Sequence, residues 1–397
     1  MSTLSSNRIA SLDILRGLVM ILMTLDHVRD FFHETALKAD PMDPAGTTLA
    51  LYFTRWMTHF CAPAFVLLAG VSAYLGAQFR PPKEAALLLI KRGIWLIIAE
   101  ILIVTLGISF DPFYRTIILQ VIWAIGWSMI LLGLLIRTSF RVILVTGIIL
   151  VAGHNLLDMA QLPDRSTATG IAWQVLLTSP GTQYAWDTIH RINVIYAILP
   201  WTGIMLLGYC LGVFYKKGAD PENRKWILLY TGTALTVLFV ILRVINVYGN
   251  PTPWHPQQGW TRDVLAFLNT SKYPPSLQYT CMTLGPVLLA LLLLEKARSP
   301  WARWVAVFGS VPFFYYVLHF FVLHACLAIV YLLAGYPVAA YYNPAMYLPF
   351  CFRPINFGYS LPVVYLIWIS AVIALYFPTR WFARYKQSHR QWWLKYV

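Results

Sequence analysis

Long apolar runs, separated by short polar or basic stretches, dominate this chain. Several reach the roughly 20 residues needed to cross a bilayer. In order, the pattern predicts ten helical spans: about 10–31, 54–78, 86–108, 114–136, 140–157, 192–215, 226–247, 276–295, one within 304–335, and 361–379. The short alternating segments of a membrane β-barrel are not seen. In hydrocarbon a helix pairs its backbone groups within itself, so helices suit such runs. The expected fold is all-α, a polytopic integral membrane helix bundle forming one domain over 1–397. The first run is too polar for a secretory signal core, and no small-residue cleavage site follows it, so it is expected to remain as a span.

Composition fits this picture: 59% of residues are hydrophobic and only 12% charged. The net charge of +14 would suit a nucleic-acid binder, but its distribution does not. With ten spans, Arg8, Arg80, Lys83, Lys91, Arg92, Arg137, Arg141, Lys216, Lys217, Arg224, Lys225, Lys296, Arg298, Arg303, Arg380, Arg384, Lys386, Arg390 and Lys395 all fall on one side. That bias marks the cytoplasmic side and puts both termini there. The opposite loops, roughly 32–53, 155–191, 248–275 and 336–360, are longer and rich in Trp, Tyr, Pro and Gly, as in NPTPWHPQQGW (250–260) and SKYPPS (271–276). Long loops of this kind often carry function. Their aromatic, Asn, Gln and Asp residues suit sugar recognition; interfacial aromatic belts are the other reading. Cys61, Cys210, Cys281, Cys326 and Cys351 show no zinc spacing and no disulfide framework.

The first span departs from a plain anchor. SLDILRGLVMILMTLDHVRDFFHE (11–34) carries Asp13, Arg16, Asp26, His27, Arg29 and Asp30. An ionisable group at mid-bilayer costs about 2.5 to 3.5 kcal/mol on insertion scales, so these residues read as functional and facing a protein interior. Arg16 and His27 stand about 16 Å apart along a helix and on nearly the same side. Asp26 adjoins the imidazole and can orient it and raise its basicity, as in triad chemistry. Snorkelling and capping at the membrane surfaces are the bland alternatives.

Other polar groups sit at membrane depth. His59 follows Arg55 and Trp56 and can share a cavity with His27, with Pro63 kinking that helix. Gly70, Ser72, Ala73 and Gly76 permit close packing. His319 falls near mid-membrane, with His324 beyond it. Glu100 needs a partner, for which Arg243 and Arg115 are candidates. Asp187, His190 and Arg191 form a cluster readable as a helix cap. Walker, GxSxG, HExxH and Cys/His ligand patterns are missing, which argues against ATPase, serine hydrolase and metalloenzyme readings.

RIASLDILRGLVMILMTLDHVRDFF (8–32) with THFCAPAFVLLAGVSAYL (58–75) resembles the bacterial relatives of heparan-α-glucosaminide N-acetyltransferase, within a wider transmembrane acyltransferase superfamily. That superfamily's Arg/Lys-x10-His signature is matched by Arg16 and His27, and its LDxLRG pattern by Leu12-Asp13-Ile14-Leu15-Arg16-Gly17. The likeness is best over 8–80 and continues more weakly in 120–135, 197–212 and 272–289. It implies transfer of an acetyl or acyl group from cytoplasmic acetyl-CoA to a sugar amine or hydroxyl on the far side, in a bacterial inner membrane. No metal is implied. His27, His33 and His59 are the candidates for the family's catalytic histidine.

The expectations are then these. Asp26, His27, His59 and His319 form the catalytic group; Arg16, Lys83, Lys91 and Arg92 face the CoA nucleotide. Partners are acetyl-CoA, a sugar or glycan acceptor, the lipid bilayer and a second copy in a homodimer, with no nucleic acid. A transporter whose intramembrane charges line a path, or a structural assembly factor, would be the alternative.

Overall fold

The computed structural model describes residues 9–160, 163–179, 182–343, 350–354 and 356–396. Arg8 and the side chain of Lys395, both counted in the charge bias, lie outside the described residues. In chain order the helices are α1 (Ala10–Phe32), α2 (Leu49–Thr58), α3 (Cys61–Ala77), α4 (Pro82–Ala99), α5 (Thr105–Ser109), α6 (Val121–Leu135), α7 (Phe140–Ile148), α8 (Ala168–Trp173), α9 (Ile198–Leu211), α10 (Pro221–Ile245), α11 (Trp260–Leu268), α12 (Leu277–Leu294), α13 (Pro300–Ser310), α14 (Pro312–Leu333) and α15 (Leu361–Ser388). Three four-residue strands, β1 (Thr116–Leu119), β2 (Thr182–Ala185) and β3 (Arg191–Val194), form one small sheet of order β1-β3-β2.

Among the described residues, seven helical segments are long and apolar enough to cross a membrane: Leu49–Ala77, Phe140–Met159, Ile198–Tyr215, Pro221–Ile245, Leu277–Leu294, Pro312–Leu333 and Leu361–Ser388. α1 and α4 carry more charge, and α6 is shorter, with 15 residues. The chain is thus a multi-pass, essentially all-α membrane protein.

Several boundaries move for identifiable reasons. Residues 114–120 are not helical: Tyr114 has φ +50° and the chain then runs extended as β1. Pro63 acts four residues upstream of itself. Its ring cannot sit against the carbonyl of His59, and the chain turns at His59–Phe60 between α2 and α3. The expected span within 304–335 is two helices, broken at Val311 with Pro312 opening α14. Beyond α4 the helix widens into a π-turn at Glu100–Val104.

The described chain forms two compact units. The first holds Met1–Cys61, Leu102–Ile117 and Leu294–Val397. Here α1 is the central rod, packed against α2, α13, α14 and α15. α1 and α13 approach at bare glycine. A Cβ on Gly17 would lie 2.1 Å from the Val305 carbonyl oxygen, and one on Gly309 would lie 1.9 Å from that of Asp13. The Trp368 indole on α15 donates to the Ile21 carbonyl at 2.9 Å.

The second unit holds Ala62–Ile101 and Ile118–Leu293. α4 packs on α6, and α9 on α6 and α7. Gly70 and Gly208 bring α3 and α9 together, each facing the other helix's backbone carbonyl. Gly76, grouped with Gly70 in the sequence, meets nothing within 4 Å.

Gly309→Ala is expected to destabilise the protein by about 1–3 kcal/mol, because the new methyl must push α1 off α13. Gly76→Ala, with open space around it, should leave the thermal midpoint in detergent unchanged. Equal midpoints for both variants would contradict the close α1–α13 packing.

Candidate functional site

α1 sets the site by holding its polar groups at fixed heights. Near its start, the Arg16 guanidinium donates from Nη1 to Asp13 Oδ1 and to the Gly309 carbonyl, both at 3.0 Å. Gly309 lies in the last turn of α13, where a cation complements the helix dipole. Arg16 therefore fastens α1 to α13. Lys83 and Lys91, the expected lysines for CoA, are exposed on α4 of the second unit, with Arg92 half-buried beside them.

Eleven residues along α1, His27 meets His319 of α14. Nδ1 of His27 lies 2.7 Å from Nε2 of His319, and the rings stack with centroids 5.0 Å apart. His319 is fully buried. Its Nδ1–H donates to the Tyr315 carbonyl one turn earlier, at 3.2 Å. With one N–H per ring, this fixes the tautomers. His319 Nε2 is then the acceptor, His27 Nδ1–H is the donor, and His27 Nε2 carries the lone pair. Phe320 packs beside both rings, 4.3 Å from His27 and 4.2 Å from His319 between centroids. Tyr315 is held in turn by a 2.7 Å bond between its hydroxyl and that of Thr24.

From Asp26, beside His27, up through the last turn of α1, the carboxylates and arginines form a clamp. Asp26 accepts from Arg29 at 3.1 Å through Oδ1 and from Arg55 of α2 through Oδ2. Arg29 also donates to Asp30 at 2.6 Å. Arg353 closes the top of α1, donating to the carbonyls of Phe31 at 3.1 Å and His33 at 2.9 Å. The partner found on His27 Nδ1 is thus a second imidazole, and those found on Asp26 are guanidinium groups. Arg55, Arg353 and Tyr315 were not singled out from sequence. Tyr315 lies four residues before His319, a helical spacing that could have shown it.

The sequence family described as Heparan-alpha-glucosaminide N-acetyltransferase, catalytic, matches residues 8–244, more than half of the chain. The chain belongs to this family. No curated protein matches it. The family match covers Arg16, Asp26, His27 and Arg55, while His319 and Arg353 lie beyond it.

The remaining polar groups of this N-acetyltransferase family member resolve as follows. His59 is buried at the end of α2. His33, just past α1, accepts at Nδ1 from the Thr35 amide at 3.2 Å and lies 2.9 Å from its hydroxyl. Burial, with the Arg29 guanidinium adding to it, lowers the His33 imidazole below its ordinary pKa. His324 lies 2.8 Å from the Cys351 carbonyl through Nε2 and stacks on Phe110 at 4.1 Å.

Glu100 is not paired with an arginine among the described residues. Its Oε1 accepts from the Gln120 amide at 2.6 Å, ahead of α6. Arg243 instead donates to the carbonyls of Phe267, Ala266 and Asn269, at 2.6, 2.7 and 2.6 Å, and so caps α11. Arg115 pairs with Asp111 at 3.7 Å. Among the described residues, no group of three or more His, Cys, Asp or Glu stands close enough to share a metal.

Asp187 and His190 form a turn, but it opens β3 rather than a helix. Asp187 accepts from the amides of His190 and Ile189 at 2.5 and 2.7 Å, and its other oxygen lies 2.7 Å from His190 Nδ1. These bonds, led by the His190 amide, bring the Asp187 carboxyl down to about 2.

Two outcomes follow. Asp26→Ala removes the carboxylate shared by buried Arg29 and half-buried Arg55, leaves Arg29 with Asp30 alone, and should cost about 3 kcal/mol, read as a fall in thermal midpoint. The Asp187 turn, whose carboxyl is depressed in the fold, contributes fully above the ordinary aspartate pKa of about 3.9. Its contribution is lost as pH falls toward 2. A carbon-13 carboxyl titration with a midpoint near 4 would contradict that.

Proposed function

We propose that the chain is a membrane acetyltransferase. It moves an acetyl group from acetyl-CoA at the cytoplasmic face to an amine or hydroxyl of a sugar on the external side. The observation that carries this is the His27–His319 hydrogen bond, on a helix that belongs to an acetyltransferase family. It leaves a lone-pair nitrogen on a ring that cannot turn without losing its partner.

In the reaction, His27 Nε2 takes the proton of the acceptor amine or hydroxyl as that atom attacks the thioester carbonyl. The new N–C or O–C bond forms, the C–S bond breaks, and the proton passes from His27 to the departing CoA thiolate. His319 holds the tautomer and shares the charge on the imidazolium through their common hydrogen bond. Asp26 acts from the arginine clamp, fixing the height of His27. His59, buried at the end of α2, shapes the acceptor side.

CoA is polyanionic and stays out of hydrocarbon, so its nucleotide belongs at the cytoplasmic mouth. Arg16, which also anchors α1, supplies a cation there. The pantetheine arm is comparable in length to the Arg16–His27 rise of about 16 Å. This reading carries ten spans, both termini in the cytoplasm of a bacterial inner membrane, and a homodimer as the assembly.

The purified protein in detergent is expected to release free thiol from acetyl-CoA when glucosamine is added. His27→Ala should lower turnover by about 10²–10⁴ while leaving acetyl-CoA binding nearly intact. Arg16→Ala should instead weaken acetyl-CoA binding. Full activity in His27→Ala would remove it as the base. Solute uptake without thiol release by the wild-type protein would replace the enzyme with a carrier.

A further inference from the structure

A second polar contact joins α1 to α14, one turn from the histidine pair, and the mechanism gives it no role. Thr24 and Tyr315 are both fully buried. The Thr24 hydroxyl donates to the Met20 carbonyl one turn back, at 3.0 Å. A hydroxyl has a single proton, so Thr24 Oγ1 meets Tyr315 as the acceptor. The Tyr315 hydroxyl therefore donates across to it, at 2.7 Å. Thr24 stands three residues before His27, and Tyr315 four before His319. The two contacts are thus successive rungs between helices that run the same way.

Tyr315 is joined to the pair by more than spacing. Its carbonyl accepts from His319 Nδ1–H at 3.2 Å, and its ring lies nearly parallel to the His319 imidazole, with centroids 5.8 Å apart and 8° between planes. Phe308 of α13 meets the same ring edge-on, at 5.2 Å and 87°. The residue after Phe308 is Gly309, where α13 touches α1. One tyrosine therefore contacts α1, α13 and His319 together. Apolar packing alone would let α1 slide along α14. Lipid tails are as apolar as the side chains, and dispersion has no preferred direction. A hydrogen bond has a preferred length and angle, so the Thr24–Tyr315 rung fixes the register of the two helices.

We infer that Thr24 and Tyr315 are positioning residues for acetyl transfer. Their hydrogen bond sets the height of α1 against α14. It thereby keeps His27 Nδ1 on His319 Nε2 and the lone pair on His27 Nε2. The inference deepens the acetyltransferase reading and rests on His27 as its base. Neither residue takes a proton in the reaction; both act through the imidazole pair. A slide of one residue rise is about 1.5 Å. A misplacement of about 1 Å can cost roughly a hundredfold in rate, even when its origin is remote from the chemistry.

The test uses the full chain and two readouts, turnover in detergent and nitrogen-15 NMR of labelled histidine in bilayers. Thr24→Val keeps the side-chain shape and removes the acceptor. It is expected to lower kcat with acetyl-CoA and glucosamine at least tenfold, with KM for acetyl-CoA within twofold. Thr24→Ser, which keeps the hydroxyl, should restore most of the rate. In the spectra, wild type and Thr24→Ser should hold His27 as the Nδ1–H tautomer alone, while Thr24→Val adds the Nε2–H tautomer. Tyr315→Phe removes the same bond from the other helix and keeps the ring contacts; it should reproduce both effects, and it carries the comparison should Thr24→Val fail to fold. A role in stability alone would lower the thermal midpoint yet leave kcat, measured well below that midpoint, and the His27 tautomer as in wild type; that result overturns the inference. A wild-type protein that releases no thiol sinks the enzyme reading, and the tautomer spectra then decide the rung by themselves.

Discussion

One hydrogen bond between two imidazoles, His27 on α1 and His319 on α14, is the interaction on which the proposed chemistry depends. A histidine on a bare helix face can rotate about its side-chain bonds and exchange tautomers. A histidine whose Nδ1 lies 2.7 Å from a buried ring nitrogen is restrained in both. That restraint is useful only if the two helices keep their relative height. The rest of the first unit is built to keep it. Below the pair, Gly17 and Gly309 let α1 and α13 touch backbone to backbone, and Arg16 ties the same junction. Above it, Asp26, Arg29, Arg55 and Arg353 pin the end of α1 to α2 and to the segment before α15.

The same constraint explains how so many ionisable groups persist in an apolar chain. Buried charges are tolerated when each is paired or hydrogen-bonded. On α1 the solution is local: Asp13 with Arg16, and Asp26 and Asp30 with Arg29. Arg243 shows a different solution, in which a fully buried guanidinium is met by three carbonyls at the C-terminal end of α11. Arg353 does likewise at the end of α1. Arginine suits both tasks because its planar fork presents several donors at once. Charge in this protein is therefore largely a fastening device, and the hydrogen-bonded histidine pair stands apart from it.

Much of this was legible from the residues themselves. The apolar runs foretold the helices, because their length and greasiness leave few alternatives in a bilayer. The polar load on 11–34 marked α1 as the functional helix, and His319 was singled out from its depth in an apolar run. The clamp on Asp26 was not foreseen: Arg55 is 29 residues away in sequence, and only the fold brings it close. The small sheet escaped notice because four-residue strands such as TIIL and RINV carry too little pattern to separate from helix ends. The break at Val311 was foreshadowed by Pro312, which opens helices more readily than it continues them.

The most direct test is nitrogen-15 NMR of histidine-labelled protein in lipid bilayers. The account predicts that His27 is protonated on Nδ1, and that this proton is shared across a hydrogen bond detectable as coupling to Nε2 of His319. A His27 found as the Nε2–H tautomer, with no coupling to His319, would contradict it.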